Sequence, residues 1–286
     1  MQQQGLKLVS FAGGAGLPAH VIIYLNGNYI VGSMSRRVSA RKRRSREDFP
    51  LREQLKIEEG VFENRTMMFI GKLFTRKVVS RMRFIIGKGK EADVYLAEPG
   101  DKVKHGKVAL KIFRLETSSF SNRMDYMVGD PRFNGIRNSI TEIVGAWCKK
   151  EFGNLKIAKE AGVSAPAPYS FAGNVLAVEF LGEGDEPARA LKDVGTGNPD
   201  ATLDSILDDI RSLYRNNLVH SDISEYNILM KGDMPYLIDF GQAVAATHPK
   251  AGDFLRRDVT NILGYFSKVY GIDRDLEGEI ARIVRG

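Results

Sequence analysis

An α+β fold in two parts is what the 286-residue sequence predicts. A strand-rich first half is followed by a helix-rich second half, which implies two lobes with a cleft between them. Between 83 and 113 the runs "RFII", "ADVYLAE" and "KVALKIF" are short, β-branched and bounded by Gly, Pro or charge, as strands are. From 201 to 216, Leu203, Ile206, Leu207, Ile210, Leu213 and Tyr214 recur at helical spacing on one face. A hydrophobic content of 43% supplies a sizeable core.

The remaining elements follow in chain order. Residues 1–48 read as a basic, poorly ordered arm, in which "VIIYLNGNYIVG" has the pattern of a hairpin on an Asn-Gly turn. Met34 is an alternative start of the chain. Residues 50–80 read as a short helical segment with Val61, Phe62, Met67, Met68, Ile70 and Leu73 as apolar positions. Residues 115–137 show no period and read as a long loop, mobile without a ligand. A helix is expected over 139–161, ending at Gly162, and two strands flank "AGN" at 172–174. After the 201–216 helix come "LVHSDISEYNILM", a strand "YLIDF", and about two closing helices with Phe254, Leu255, Val259, Ile262, Leu263 and Phe266 as their apolar side. The organisation expected is an arm over 1–48, an N-terminal lobe with its preceding helical segment over 49–181, and a short C-terminal lobe over 182–286.

Composition excludes several classes. No apolar run approaches the ~20 residues of a membrane helix. The first residues lack the charged start, apolar run and cleavage site of a secretory signal. The single cysteine, Cys148, rules out a disulfide framework and a cysteine-rich metal site, and reads as a small core residue. A soluble cytoplasmic protein is the expectation. The net charge of +7 is uneven, because residues 1–83 hold 16 Lys and Arg against 6 Asp and Glu. Its densest part, "RRVSARKRRSR" at 36–46, would attract phosphate backbones without regard to sequence, which makes RNA a candidate partner. A solvated arm is the plainer reading.

Polar residues interrupt the apolar pattern at three places. In "VALKIF", Val108, Leu110 and Ile112 face one way, and Ala109, Lys111 and Phe113 the other. A lysine in mid-strand must snorkel, lose its proton or meet an anion. On the 139–161 helix the stripe Ile140, Val144, Trp147, Glu151, Leu155, Ala158 contains a carboxylate whose burial costs several kcal/mol, by order of magnitude, without a partner. Lys111 and Glu151 therefore suggest an ion pair. The third place is "HSDISEYN" with "IDFG", where Asp222, Asn227 and Asp239 converge at the ends of adjacent elements. A small set of oxygen ligands suits Mg²⁺, which completes its shell with waters and phosphate oxygens. Upstream, "GKGKEADV" at 87–94 links two strands with Gly87 and Gly89, where backbone N–H groups can approach phosphate. His220 reads as structural.

The order of glycine-rich hairpin, strand Lys, helix Glu, D-x-x-x-x-N and D-F-G resembles the protein-kinase fold. The segments "GKEADVYLA", "ALKIFRLETSSF", "MDYMVGDPRFNG", "KEFGNLKIAKEAGV", "LVHSDISEYNIL" and "IDFGQAV" resemble the RIO family of atypical serine/threonine kinases, in its type 1, archaeal-style branch. The resemblance covers about 55–286. It implies a two-lobed protein-kinase-like fold with a β-rich N-lobe and a truncated helical C-lobe. It implies ATP and Mg²⁺, with Mn²⁺ as a substitute, and a catalytic base at Asp222. Asn227 and Asp239 would hold the metal, and Lys111, steadied by Glu151, would grip the α/β-phosphates. Gly87, Gly89 and Lys90 would form the phosphate loop. Val178 would back the adenine, Val94 and Ala109 would cover its face, and the backbones of Glu179 and Leu181 would bond its edge. The partner implied is the pre-ribosomal small subunit, with rRNA contact through 36–46.

Departures from the kinase pattern carry information too. Ala92 stands at the third loop glycine, and Gly87-Lys88 where relatives usually have Ser-Thr. Ser221 replaces the arginine before the base, which argues against control by activation-loop phosphorylation. Ser224 replaces a common lysine. Only 47 residues follow Asp239, with no A-P-E segment, a truncation that RIO proteins share. The family also implies that Asp239 can accept the phosphoryl group, which would make the protein an ATPase. Ser118, Ser119 and Ser121 are candidate autophosphorylation sites in the long loop. The alternatives are a small-molecule phosphotransferase of the aminoglycoside-kinase type, which normally carries a large helical substrate domain, and a nucleotide-binding assembly factor with little transfer activity.

Overall fold

The computed structural model describes residues 64–115, 124–127, 130 and 139–285, together with the backbone of three strands between residues 7 and 33. The basic run 36–46, the serines 118, 119 and 121, and most of the 115–137 loop lie outside the described residues. No helix among the described residues is long and apolar enough to cross a membrane.

The three early strands are β1 (Lys7–Phe11), β2 (His20–Leu25) and β3 (Asn28–Ser33). β2 and β3 pair antiparallel with Leu25 opposite Asn28, the register of a two-residue hairpin loop. β1 adds a third strand on the other side of β2 that the sequence pattern did not announce.

Helix α1 (Asn64–Thr75) buries Ile70 and Leu73 completely, whereas Met68, expected on the apolar side, is 59% exposed. The helix ends at Thr75, before the expected end at residue 80, and residues 50–63 of that segment, with Val61 and Phe62, lie outside the described residues. β4 (Val79–Lys88) begins four residues before the expected strand. Its pairing with β5 (Ala92–Pro99) is interrupted by register shifts around Met82, Ile85 and Gly87. Bulges of this kind break the period-2 alternation that sequence reading relies on. β6 (Val108–Phe113), β7 (Pro168–Ala172) and β8 (Val175–Glu179) complete a five-stranded antiparallel sheet in the order β4-β5-β6-β8-β7. The faces of β6 divide as read from sequence. Val108, Leu110 and Ile112 join the cluster under α1, and Ala109 and Phe113 join the larger cluster on the other face.

A one-turn helix α2 (Met124–Met127) stands in the long loop, and α3 (Ile140–Glu160) follows it. The Ser139 side chain accepts a hydrogen bond from the Glu142 N–H at the N-terminus of α3. Gly162, in the left-handed region with φ +73°, follows its C-terminus. The predicted stripe is the buried side, with Val144, Trp147, Glu151, Leu155 and Ala158 all at 2% exposure or less.

The helical part opens with short ribbons β9 (Gly182–Glu183), β10 (Glu186–Pro187) and β11 (Arg189–Ala190), then α4 (Leu191–Val194) and α5 (Pro199–Arg215). The stretch after α5 forms β12 (Leu218–Val219), a turn, and β13 (Ile228–Lys231), which pairs with β14 (Met234–Leu237). β15 (Val244–Ala245) pairs with β12, and α6 (Ala251–Tyr270) and α7 (Leu276–Arg285) close the chain. The expected strand "YLIDF" stops at Leu237, since Asp239 takes a left-handed φ of +66° that no ladder accommodates. One continuous apolar cluster runs from the lower face of the sheet through α3 to α5 and α6, so both sides of the cleft rest on a shared core.

Candidate active site

The sheet supplies the cationic side. Cross-strand register places Val94 opposite Lys111 and Ala109 opposite Val178. Side chains paired across an antiparallel ladder share a face, so Val94, Ala109, Lys111 and Val178 all look toward α3. The Lys111 side chain is 18% exposed, and its Nζ donates to both Glu151 oxygens, at 2.8 and 3.1 Å. The same ammonium reaches Asp239 Oδ1 at 3.0 Å. Burial works to lower the Lys111 pKa, but the Asp239 and Glu151 carboxylates outweigh it and hold the pKa above the ordinary lysine value. The pairing of two sequence anomalies, one on a strand and one on a helix, is thus realised in a single contact.

Two loops border this face. Gly89 donates its N–H to the Ala92 carbonyl at 2.9 Å, and a Cβ at Gly89 would stand 2.9 Å from that same oxygen. The turn therefore needs glycine there. A Cβ on Gly87 would meet only Val94 at 3.7 Å, an ordinary contact. Lys90 is exposed at the tip of the loop. At the end of β8, the Glu179 N–H is taken by the Ala167 carbonyl, and the Leu181 carbonyl accepts from the Ala188 N–H. A planar ligand edge could therefore use only the Glu179 carbonyl and the Leu181 N–H.

The acidic side sits on turns. Asn227 donates its Nδ2 to the Asp222 carbonyl at 2.8 Å and to Asp222 Oδ2 at 3.0 Å. Gln242 donates to the same Oδ2 at 3.1 Å. The Ile238 N–H bonds the Asn227 carbonyl at 3.0 Å, which ties the residue before Asp239 to the Asp222–Asn227 turn. Burial, with the Asp239 charge behind it, pushes the Asp222 carboxyl up to about 6. Asp222, Asn227, Asp239, Lys111 and Glu151 therefore share one site. Since Asn227 uses its amide nitrogen twice, its amide oxygen is the atom left for a cation. Among the described residues no three His, Cys, Asp or Glu side chains could hold a metal alone. A Mg²⁺ held by Asn227 and Asp239 would take its other ligands from phosphate and water, as this ion does.

What fixes these turns was not read from sequence. Ser221, also left-handed with φ +67°, is completely buried. Asp258 on α6 accepts the Ser221 N–H at 2.7 Å and the Ile223 N–H at 2.9 Å. Burial pushes the Asp258 carboxyl up to about 7 while these two bonds pull against it. Asn261 donates to the Ile223 carbonyl at 3.1 Å. On α3, the fully buried Asn154 donates to the carbonyls of Phe240 and Ala243, at 2.8 and 3.1 Å. A Cβ on Gly241 would come within 2.6 Å of the Trp147 indole nitrogen, so the glycine of the Asp-Phe-Gly turn is required by α3. His220 is structural. Burial lowers its pKa to about 4, and its Nε2 meets the Ile238 carbonyl at 3.0 Å. Cys148 is wholly buried, and burial pushes its thiol well above the ordinary value, which leaves it an unreactive core residue.

A lysine–glutamate pair under an antiparallel sheet, facing an Asp/Asn turn and an Asp-Phe-Gly turn, defines a phosphotransferase of the protein-kinase class. Comparison with known proteins narrows this. The family model described as RIO domain matches residues 93–277. The chain is 39% identical over 243 residues to the RIO-type serine/threonine-protein kinase Rio1 of Haloferax volcanii, covering 84% of this chain and 82% of that protein. It is 38% identical over 217 residues to the protein of the same description from Methanocaldococcus jannaschii, covering 76% and 73%. Among solved structures it is similar to the Rio2 kinase of Chaetomium thermophilum in complex with ADP/Mg²⁺ and phosphoaspartate. That match has a TM-score of 0.60 at 23% identity, over 78% of this chain and 67% of the other, and it supports the fold. The chain belongs to the RIO family of atypical kinases.

Proposed function

We propose that the protein transfers the γ-phosphoryl group of ATP to a serine or threonine hydroxyl, and that it acts in maturation of the small ribosomal subunit. The observation that carries the reaction is the Lys111–Glu151 pair facing the Asp222–Asn227 turn across one site. Asp222 takes the proton of the acceptor hydroxyl as its oxygen bonds to the γ-phosphorus. The bond from that phosphorus to the β,γ-bridging oxygen breaks, and ADP leaves. Lys111 holds the α/β-phosphates, Glu151 holds Lys111, and Asn227 and Asp239 supply protein oxygens for Mg²⁺ or Mn²⁺. The bound ion neutralises charge on the phosphates. Gly87, Gly89 and Lys90 cover the phosphates. Val94, Ala109 and Val178 enclose the adenine, whose edge meets the Glu179 carbonyl and the Leu181 N–H. The lobe boundary lies at Leu181–Gly182, between β8 and β9. The basic run 36–46 contacts rRNA by charge alone.

A second reading has Asp239 as the acceptor, which gives an aspartyl phosphate that water then hydrolyses. It is favoured by the phosphoaspartate in the solved Rio2 complex and by the exposure of Asp239, whose side chain is 37% accessible. The two readings separate in one experiment. The protein is incubated with γ-labelled ATP and Mg²⁺, and the labelled protein is treated with acid, alkali or hydroxylamine. Label that survives acid and hydroxylamine is phosphoserine or phosphothreonine, and label lost to hydroxylamine and absent from Asp239→Asn is the acyl phosphate. Absence of both label and ATP turnover overturns both readings in favour of a nucleotide-binding factor.

A further inference from the structure

We infer that Tyr126, in the one-turn helix of the long loop, is a positioning residue for phosphoryl transfer: its hydroxyl and ring hold the Arg257 guanidinium on the main-chain oxygen of Ser221, next to Asp222. The inference rests on the reading of Asp222 as the base. Ser221 is a buried serine in a left-handed conformation, a backbone state that persists only when its surroundings impose it. Asp258 secures its N–H, and Arg257 Nη2 donates to its carbonyl. Asp258 is buried, but Arg257 is an exposed residue on a flexible stem. Something must keep its planar fork in place.

Tyr126 does so in two ways. Its hydroxyl accepts from Arg257 Nη2 at 3.2 Å. Its ring stacks on Phe254 with centroids 5.1 Å apart, and Arg257 lies over the same Phe254 ring at 5.1 Å. Tyr126 is itself anchored from the opposite side. Its carbonyl accepts from Lys150 Nζ at 3.2 Å, and Lys150 is completely buried, 4.8 Å from the centre of the Trp147 ring. Lys150 immediately precedes Glu151 on α3. The loop helix therefore bridges α3, which carries Glu151, and α6, which holds the Asp222 turn. Ser221 stands where many kinases carry an arginine before the base, and Arg257 brings its guanidinium to the main-chain oxygen of Ser221 from α6.

The test is a double-mutant cycle on the full chain with ATP and Mg²⁺, using Tyr126→Phe and Arg257→Met. Tyr126→Phe keeps the ring stack and removes only the oxygen. The expected result is a fall in kcat on the order of ten-fold, with the dissociation constant of a non-hydrolysable ATP analogue and the melting temperature unchanged. In the Arg257→Met background the same change has no further effect, because the two residues act through one contact. Arg257→Lys restores part of the activity lost in Arg257→Met. An unchanged kcat in Tyr126→Phe overturns the inference, as does an equal loss in both backgrounds or a loss matched by weaker nucleotide binding. Asp222→Asn is the control. If it keeps full turnover, the base reading fails whatever Tyr126 does; if it is inactive while Tyr126→Phe is silent, only the positioning role fails.

Discussion

The two sides of the site are built on different principles. Lys111 and Glu151 sit in the middle of a regular strand and a regular helix, and their direction follows from periods of two and 3.6 residues. Asp222 and Asp239 sit on turns flanked by or adopting left-handed backbone, and their direction is imposed by side chains from elsewhere. Regular elements need only a partner to orient a charge. Irregular ones need a set of polar side chains to hold the backbone first, here the buried Asp258 and Asn154 with the exposed Asn261 and Arg257.

That contrast can be broken at several points. The largest effect is expected for Asp222→Asn, which removes the proposed base but keeps the bond from Asn227 to the residue 222 carbonyl. Turnover should fall by about 10²–10⁴ in a steady-state ATP assay. In the wild-type protein, an Asp222 carboxyl raised to about 6 is progressively protonated below that pH. The base is then lost, so kcat/KM should drop about tenfold per pH unit on the acid side, and a flat profile down to pH 5 would remove Asp222 from that role.

Next is Asp258→Ala. It leaves two buried N–H groups unmet at roughly 1–3 kcal/mol each, so chemical denaturation should show a loss of about 3 kcal/mol, and activity should fall even where the protein is folded. Glu151→Gln is the matching change on the regular side. Lys111 still has Asp239, so stability should move by only about 1 kcal/mol, while ATP binding measured by calorimetry weakens about ten-fold. A larger stability loss in Glu151→Gln than in Asp258→Ala would invert the comparison.

The effect farthest from the site concerns Asp209, a buried acid on the regular helix α5. It accepts the Ser164 N–H at 3.1 Å through one oxygen, and its other oxygen has no partner among the described residues. Burial raises its pKa to about 6, against about 3.9 in an unfolded chain. The folded state then holds this proton more tightly. The stabilising contribution is full below pH ~4 and is lost as pH rises through about 6. Asp209→Asn should flatten that dependence, by about 1–3 kcal/mol between pH 4 and 7, in melts compared with wild type.

Legibility in the sequence follows the same division. Glu151 was visible because a charge interrupted an apolar stripe. The same signal marked Asp258, which lies among Phe254, Leu255, Val259 and Ile262 on α6, and Lys150 and Asn154, buried on α3 beside the stripe. It was not read there because no partner was apparent in the sequence, and their partners are main-chain atoms. Backbone atoms carry no residue identity, so a side chain that serves them has no counterpart to search for. Bulges hid the start of β4 for a related reason, since they shift the alternation without changing composition. Gly241 was legible as part of a motif, but its cause, the Trp147 ring on α3, belongs to tertiary packing.

The contact between Lys111 and Asp239 has an electrostatic consequence. The Lys111 ammonium bridges the Glu151 and Asp239 carboxylates, so these three groups together keep one unit of negative charge. In the proposed reading, phosphate would take the place of Asp239 on the ammonium, and Asp239 would be released to hold the metal ion, which would supply the compensating positive charge. A metal ion and a triphosphate bound together would then leave the cluster closer to neutral than the triphosphate alone, since the anion adds to a negative charge already present.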